Sequence, residues 1–343
     1  MSFQFKNRFF LFLLPILFFV LSSCALFESS SPSIDVYPGL STDTVSLKNK
    51  FEFKQGFQLP QNVEEYCRKV NERFLNYGWG HSRCLTYDWL QVGSSHLGDP
   101  LIWLVFGNEL SHRKLNSKNS TLIMCGVHGD EITPIKFCFD LIRYLTEIQN
   151  DPNHADFFND RIVIVAPIVS PDGFFIDRPT RFNARGVDLN RNFPTRDWEE
   201  YAYDSWVNRY RSDPRRYPGE SALSENETIF QVELIRRYRP DKIISVHAPL
   251  TILDYDGPTI YGEGEDPAKR LLNQMAEDAQ DYTIMNWPFF PGSLGNWAGN
   301  ERNIPTYTLE LPSSDNRRHR QYWDRFRPAI ISAIEFHMLE ANN

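Results

Sequence analysis

The chain has 343 residues, of which 41% are hydrophobic, 14% aromatic and 23% charged. This composition predicts a globular protein with a large hydrophobic core, in one large domain or two ordinary ones. The formal net charge of −8 argues against a nucleic-acid-binding protein, which would carry a clustered basic surface, so we expect no nucleic-acid partner.

The first residues have the layout of an export signal. Lys6 and Arg8 precede an apolar run, Phe9 to Leu21, that is too short to span a bilayer comfortably. The ending LSSC brings small residues and then Cys24, and it resembles a bacterial lipoprotein signal. We therefore predict a signal peptide over residues 1–23, lipidation of Cys24, and an exported, membrane-anchored protein that faces the periplasm. An ordinary cleaved signal peptide and a retained anchor helix are the alternatives.

A segment rich in Ser, Pro and Thr follows, and we interpret residues 24–60 as a tether to a folded domain over residues 61–343. Five short apolar runs in that domain predict buried strands: LIWLVFG, TLIMCGV, RIVIVAPIV, KIISVHA and TYTLEL. Four longer segments predict helices: ITPIKFCFDLIRYLTEI, NETIFQVELIRRY, AKRLLNQMAEDA and YWDRFRPAIISAIEFHMLEA. The alternation predicts an α/β fold, with a mixed, largely parallel sheet covered by helices on both faces.

Four cysteines remain after Cys24. Cys67 and Cys84 flank a polar and aromatic stretch and could form a disulfide, because export would place them in an oxidising compartment. Cys125 and Cys138 fall in a predicted strand and a predicted helix, where we expect them to be buried as small hydrophobic residues. The absence of a CxxC spacing argues against a cysteine zinc site.

Polar residues follow the predicted strand TLIMC directly. His128 and Glu131, in HGDE, lie three residues apart at a position where α/β sheets bind ligands. An isolated HxxE pair more often reflects a glutamate that stabilises a helix N-terminus, so a third ligand is needed. His247 ends the predicted strand KIISVH and supplies it. Two histidines and a glutamate are a ligand set of hydrolytic zinc enzymes.

Two further features suggest catalytic groups. Glu310 lies between two leucines in a predicted strand, where a carboxylate is unfavourable unless it has a partner or a function, such as that of a general base. The segment RPTRFNARGVDLNRNFP concentrates arginines and asparagines between two prolines. Such a cluster can be solvated charge, or it can bind a substrate carboxylate.

Five motifs in this order, HGDE, SPDG, GVDLNRNFP, SVHAP and TLELP, resemble the zinc metallocarboxypeptidase family. The resemblance covers Gln61 to Glu340. The stretches PGESALSENET, HAPL and FPGSLGNWAGN are similar to the branch that cuts murein peptides. The resemblance implies a zinc carboxypeptidase-like sheet of the eight-stranded type, one Zn²⁺ ion, and hydrolysis of the γ-D-glutamyl–diaminopimelate bond.

The resemblance also implies roles for individual side chains. His128, Glu131 and His247 match the zinc ligands, and Glu310 matches the general base and acid. Asp188, in GVDLN, is similar to the acid that orients the first histidine.

The substrate-binding residues are implied in the same way. Asn190 and Arg191 match the pair that binds the substrate's terminal carboxylate, and Arg181 matches the arginine that stabilises the oxyanion. Arg185 is an alternative to Arg181, because the loop is shorter than in the digestive enzymes. Asp130 replaces an arginine of those enzymes and would suit a substrate with an additional ammonium group, such as diaminopimelate.

Two other functions remain open. A peptide carboxypeptidase of broader specificity would use the same zinc chemistry, and a non-catalytic wall-binding lipoprotein would use the same fold.

The region NWPFFPGS lacks the mobile tyrosine that the digestive enzymes carry before the glycine–serine step. The way in which substrate is enclosed therefore has to differ from theirs.

Overall fold

The structure is a computed structural model, and it describes residues 61–110, 112, 119–258 and 266–338. The predicted signal peptide, the tether and the lipidation of Cys24 lie outside the described residues. Among the residues that are described, no helix is both long and apolar enough to cross a membrane.

Eight strands of the described chain form one mixed sheet. They are β1 (Leu90–Ser94), β2 (Pro100–Phe106), β3 (Ser120–Cys125), β4 (Ile162–Ala166), β5 (Lys242–His247), β6 (Ile252–Asp256), β7 (Ile284–Met285) and β8 (Thr306–Glu310). Their order across the sheet is β1-β2-β4-β3-β5-β8-β6-β7. The central strands β4, β3, β5 and β8 are mutually parallel, whereas β1, β2 and β6 make antiparallel pairs. The predicted fold class, with its eight-stranded, largely parallel sheet, is confirmed.

Helices cover both faces of this sheet. They are α1 (Gln61–Asn76), α2 (Ile132–Asn150), α3 (Pro171–Phe175), α4 (Trp198–Asp204), α5 (Asn226–Tyr238), α6 (Pro267–Asp278) and α7 (His319–Glu335). Successive strand residues face opposite sides, so Ile123 of β3 packs in the core with α1, α2, α6 and α7. Its neighbour Leu122 packs with α5 on the other side.

The last helix differs from its prediction. It begins at His319 and ends at Glu335, whereas the apolar pattern predicted helix from Tyr322 to Ala341. Phe336 is extended, and its carbonyl oxygen accepts a hydrogen bond of 2.7 Å from the buried amine of Lys242. A contact with a distant strand therefore ends the helix before the apolar pattern does.

The cysteines form two disulfides. Cys67 is bonded to Cys84, the pair that the sequence suggested. Cys125 is bonded to Cys138, so the prediction of two unpaired hydrophobic residues is wrong, although both are fully buried. The bond connects the end of β3 to α2, whose Cα atoms are 6.3 Å apart at these positions. It thereby closes the loop that carries HGDE.

The topology brings three strand ends together. β5 lies between β3 and β8 and is parallel to both, so the carboxyl ends of all three strands meet at one edge. His247 and Glu310 are the last residues of β5 and β8, and they stand opposite each other in the register. His128 follows β3 by three residues.

Candidate active site

The HGDE segment is held at the sheet edge by close backbone packing. A Cβ atom on Gly129 would stand 2.2 Å from the carbonyl carbon of Gly173, which belongs to the SPDG segment. Only glycine permits this approach. The packing sets the turn between His128 and Glu131, and Glu131 then stands at the N-terminus of α2.

The ligand atoms of three buried side chains converge. The Nδ1 atoms of His128 and His247 are 3.2 Å apart. One carboxylate oxygen of Glu131 lies 2.7 Å from Nδ1 of His128, and the other lies 2.9 Å from Nδ1 of His247. Two nitrogens bound tetrahedrally to one zinc ion at about 2.0–2.1 Å would stand about 3.3 Å apart. The observed spacing fits one shared ion.

The opposite nitrogens of both imidazoles have the partners that a zinc site requires. Nε2 of His128 lies 3.0 Å from Oδ1 of Asp188, and Nε2 of His247 lies 2.8 Å from Oγ of Ser245. Because a carboxylate only accepts, Nε2 of His128 donates a hydrogen to Asp188, which leaves the Nδ1 lone pair for the metal when the ion is bound. Such bonds fix the tautomer and orientation of metal ligands. The residues fit a single zinc site, and the predicted set of His128, Glu131 and His247 is confirmed.

Asp188 is completely buried and has three partners. Besides His128, its carboxylate accepts a hydrogen bond of 3.0 Å from Nε of Arg181 and one of 3.0 Å from the backbone of Asn190. Burial by itself would raise the pKa of Asp188, but Arg181 and His128 outweigh burial and hold that pKa well below its usual range. The ionised Asp188 carboxylate thus contacts His128, the histidine that Asp188 is predicted to orient.

Arg181 lies beside the zinc ligands. Its Nη1 atom is 3.3 Å from the Glu131 carboxylate and 3.2 Å from Nδ1 of His128. Arg185 instead places a guanidinium nitrogen 3.9 Å from Glu225. Of the two arginines that the sequence left open, Arg181 is the one that lines the cavity.

Glu310 faces the zinc ligands from β8. It is 9% exposed, and one of its oxygens accepts a hydrogen bond of 3.2 Å from the backbone of Leu250. Burial raises the pKa of Glu310, although the nearby His247 opposes that shift. The structure therefore places a second buried carboxylate at the cluster, as the sequence predicted.

Asn190 and Arg191 offer donors to the same cavity. Oδ1 of Asn190 accepts a hydrogen bond of 2.8 Å from the backbone of Leu294, which leaves the amide nitrogen of Asn190 for another partner. The Arg191 guanidinium lies 4.8 Å from the ring centre of Phe290, and its buried Nε has no hydrogen-bond partner within the described chain. These donors suit an anionic group such as a substrate carboxylate.

Asp130 also lines the cavity, but it has a partner within the chain. Its Oδ2 lies 2.8 Å from a guanidinium nitrogen of Arg215. The ammonium-binding role predicted for Asp130 would require a substrate group to displace Arg215. Arg215 itself was not identified from the sequence.

The cavity at this sheet edge has a volume of about 520 Å³. Its lining includes several polar residues that were missed from the sequence, among them Ser245, Asp254 and Asp256. A signal was present, because Ser245 precedes His247 by two residues and the two aspartates are also two residues apart. Residues at this spacing lie on one face of a strand.

Comparison with known proteins identifies the family. The model of the family described as zinc carboxypeptidase matches residues 86–329. Murein peptide amidase A of Escherichia coli strain K12 is 31% identical over 257 residues, which are 73% of this chain and 90% of that protein. Carboxypeptidase B2 of Rattus norvegicus is 26% identical over 216 residues, 57% of this chain and 46% of that protein.

Two solved structures are similar as well. The crystal structure of murein-tripeptide amidase from Escherichia coli O157 matches with a TM-score of 0.50 and 27% identity, and covers 71% of this chain and 91% of that one. The carboxypeptidase A of Helicoverpa armigera matches with a TM-score of 0.62 and 20% identity, and covers 82% of this chain and 73% of that one. The second similarity supports the fold alone.

Proposed function

This chain belongs to the zinc carboxypeptidase family and is a zinc-dependent hydrolase, and we propose that it cleaves murein peptides between γ-D-glutamate and diaminopimelate. The observation that carries the proposal is the similarity to murein peptide amidase A, which extends over 90% of that protein's length. The convergence of the zinc ligands and Glu310 in one cavity supports it.

The chemistry follows from the groups in the cavity. Zinc, when bound by His128, Glu131 and His247, lowers the pKa of a water molecule to about 7 and polarises a carbonyl oxygen. Glu310 takes a proton from the attacking water, whose oxygen forms a bond to the amide carbon. Glu310 then gives that proton to the leaving nitrogen as the carbon–nitrogen bond breaks. Arg181 donates hydrogen bonds to the oxyanion that develops between these steps.

Substrate orientation comes from the loop that contains GVDLNRN. Asn190 and Arg191 bind the free carboxylate of the residue that is released, because both residues line the cavity and carry hydrogen-bond donors. Asp188 does not contact the substrate; it orients His128 and holds the Arg181 guanidinium in place.

We further propose that the protein is exported and anchored through lipid on Cys24. The layout of residues 1–24 supports this proposal. The disulfides Cys67–Cys84 and Cys125–Cys138 support it independently, since disulfides persist in oxidising compartments and are rare in the cytosol.

To test the proposal, the purified, zinc-loaded protein is incubated with L-alanyl-γ-D-glutamyl-diaminopimelate. In parallel, it is incubated with reporter peptides whose C-terminal residue has a neutral side chain. Mass analysis of the products should show release of diaminopimelate, with little hydrolysis of the reporters. Faster hydrolysis of the reporters would favour a broad peptide carboxypeptidase. Stoichiometric zinc without hydrolysis of any peptide would favour a non-catalytic wall-binding protein and overturn the proposal.

A further inference from the structure

A second cavity lies apart from the zinc ligands, and no residue lines both cavities. Its volume is about 420 Å³, which is within the range of ligand-binding pockets. Its walls come from the segment that follows α1, from one face of α2 and from the first turns of α7. On α2, Lys136, Asp140 and Arg143 follow one another at intervals of four and three residues, so their side chains share the face that lines this cavity.

The walls of the second cavity are fixed to one another. Nε1 of Trp79 donates a hydrogen bond of 2.8 Å to the backbone oxygen of Asn316. Nδ2 of Asn316 in turn donates a hydrogen bond of 2.8 Å to the backbone oxygen of Tyr77. The disulfide between Cys67 and Cys84 connects the same segment to α1. The cavity is therefore a preformed part of the fold.

The charged lining of the second cavity is mainly positive, although the chain as a whole has a net charge of −8. Four Lys and Arg side chains line it against two carboxylates: Arg83, Lys136, Arg143 and Arg320, with Asp140 and Asp324. Asp140 is already engaged, because it lies 2.5 Å from the amine of Lys136 and 3.6 Å from the guanidinium of Arg143. Arg83 and Arg320 are exposed and form no ion pair with any acidic residue in the described part of the chain. A concave surface lined by one sign of charge attracts ions of the opposite sign, so the cavity suits an anion.

Aromatic side chains form the buried part of the lining. Trp79, Tyr87, Phe139 and Trp323 line the cavity, and each is at most 9% exposed. Side chains buried to this extent cannot insert into a bilayer, as the apolar residues of membrane-binding surfaces do. They can pack against the apolar part of a ligand that enters the cavity, such as the face of a sugar ring. An anion attached to such rings therefore fits the cavity better than a lipid surface does.

We propose that the second cavity binds polymeric murein through a stem-peptide carboxylate, and that it holds the enzyme on the wall while the zinc cavity receives another stem peptide. The inference rests on the proposed function, because it takes murein as the substrate. Polymeric murein carries carboxylates along strands of sugar rings, so it presents both groups that the cavity suits. Arg83 and Arg320 bind the carboxylate, since a planar guanidinium matches its two oxygens, and the aromatic side chains contact the sugar.

Cosedimentation with purified, insoluble murein sacculi tests the proposal. Every protein in this assay carries Glu310→Gln, so that the murein is not cut during the measurement. The double variant Arg83→Gln with Arg320→Gln should raise the Kd for sacculi by about tenfold or more, which is the usual effect of losing hydrogen bonds to a charged group. The double variant Arg178→Gln with Arg239→Gln is the matched control and should keep the original Kd. Both of its arginines are exposed and lie outside the cavity, and Arg239 has a positive φ, as Arg83 does.

Hydrolysis of a soluble peptide separates this inference from the proposed function. With Glu310 intact, the double variant of Arg83 and Arg320 should cleave L-alanyl-γ-D-glutamyl-diaminopimelate with the kcat/KM of the wild type, because neither arginine lines the zinc cavity. An unchanged Kd for sacculi in this variant, or an equal loss in the control variant, would overturn this inference alone. Binding to phosphatidylglycerol vesicles that the variant loses, while it still binds sacculi, would assign the cavity to a lipid and also overturn the inference. Failure of the zinc-loaded wild type to cleave the soluble peptide would instead overturn the proposed function.

Discussion

Asp188→Asn is expected to weaken zinc binding without altering any zinc ligand. The Asp188 carboxylate accepts hydrogen bonds from three groups, namely Nε2 of His128, Nε of Arg181 and the backbone of Asn190. An asparagine has the same size but only one accepting oxygen. Its amide nitrogen must therefore face either the imidazole or the guanidinium, and a donor then meets a donor at a fully buried position.

The expected magnitude is a tenfold to hundredfold loss of zinc affinity, which is typical when the group that orients a ligand histidine is changed. Since each tenfold corresponds to about 1.4 kcal/mol, the binding free energy should weaken by about 1.4 to 2.8 kcal/mol. Competition with a chromophoric chelator measures the zinc Kd. Asp281→Asn, with an exposed side chain, is the matched control for the same chemical change.

The result that would refute this reasoning is a zinc Kd within a factor of two of the wild type in a variant that remains folded. Circular dichroism and thermal unfolding establish the fold. An unchanged Kd would mean that the hydrogen bond from His128 to Asp188 does not prepare the imidazole for the metal.

Three further outcomes are expected. Glu310→Gln should lower kcat by about 10²- to 10⁴-fold, as for other general bases, while the zinc content stays at the wild-type level. A smaller loss of kcat in steady-state assays would show that another group transfers the proton. Arg181→Lys should lower kcat by about 10²- to 10³-fold, whereas Arg185→Lys should lower it by less than threefold. A larger loss of kcat in Arg185→Lys than in Arg181→Lys would contradict the assignment of Arg181 to the oxyanion. The double substitution of Cys125 and Cys138 by alanine should lower the free energy of unfolding by about 3 kcal/mol in denaturant titrations, and an unchanged midpoint would show that the bond adds no stability.

The parts of the site that followed from the apolar pattern of the chain, without the family resemblance, are those that depend on strand ends. His128, His247 and Glu310 follow or terminate apolar runs, and parallel strands place their ends at one sheet edge whatever the exact strand order. The identity of the metal followed from residue types alone. Residue types alone did not decide whether Arg181 or Arg185 stabilises the oxyanion, because both arginines lie in one charged loop and only the folded path of that loop separates them.

The missed features depend on contacts between distant segments. The two-residue spacing of Asp254 and Asp256 puts both on one face of a strand, but only the antiparallel pairing of β6 with β8 places that face in the cavity. The pairing of Cys125 with Cys138 depends on how α2 lies against β3. The early end of α7 likewise depends on the buried amine of Lys242.

The most direct test of the zinc site is a crystal structure of the zinc-loaded protein with diffraction recorded at the zinc absorption edge. The account predicts one anomalous-difference peak per chain, bounded by Nδ1 of His128, Nδ1 of His247 and the carboxylate of Glu131. A strong peak at any other position, or none between these atoms in protein that holds one zinc per chain, would contradict it.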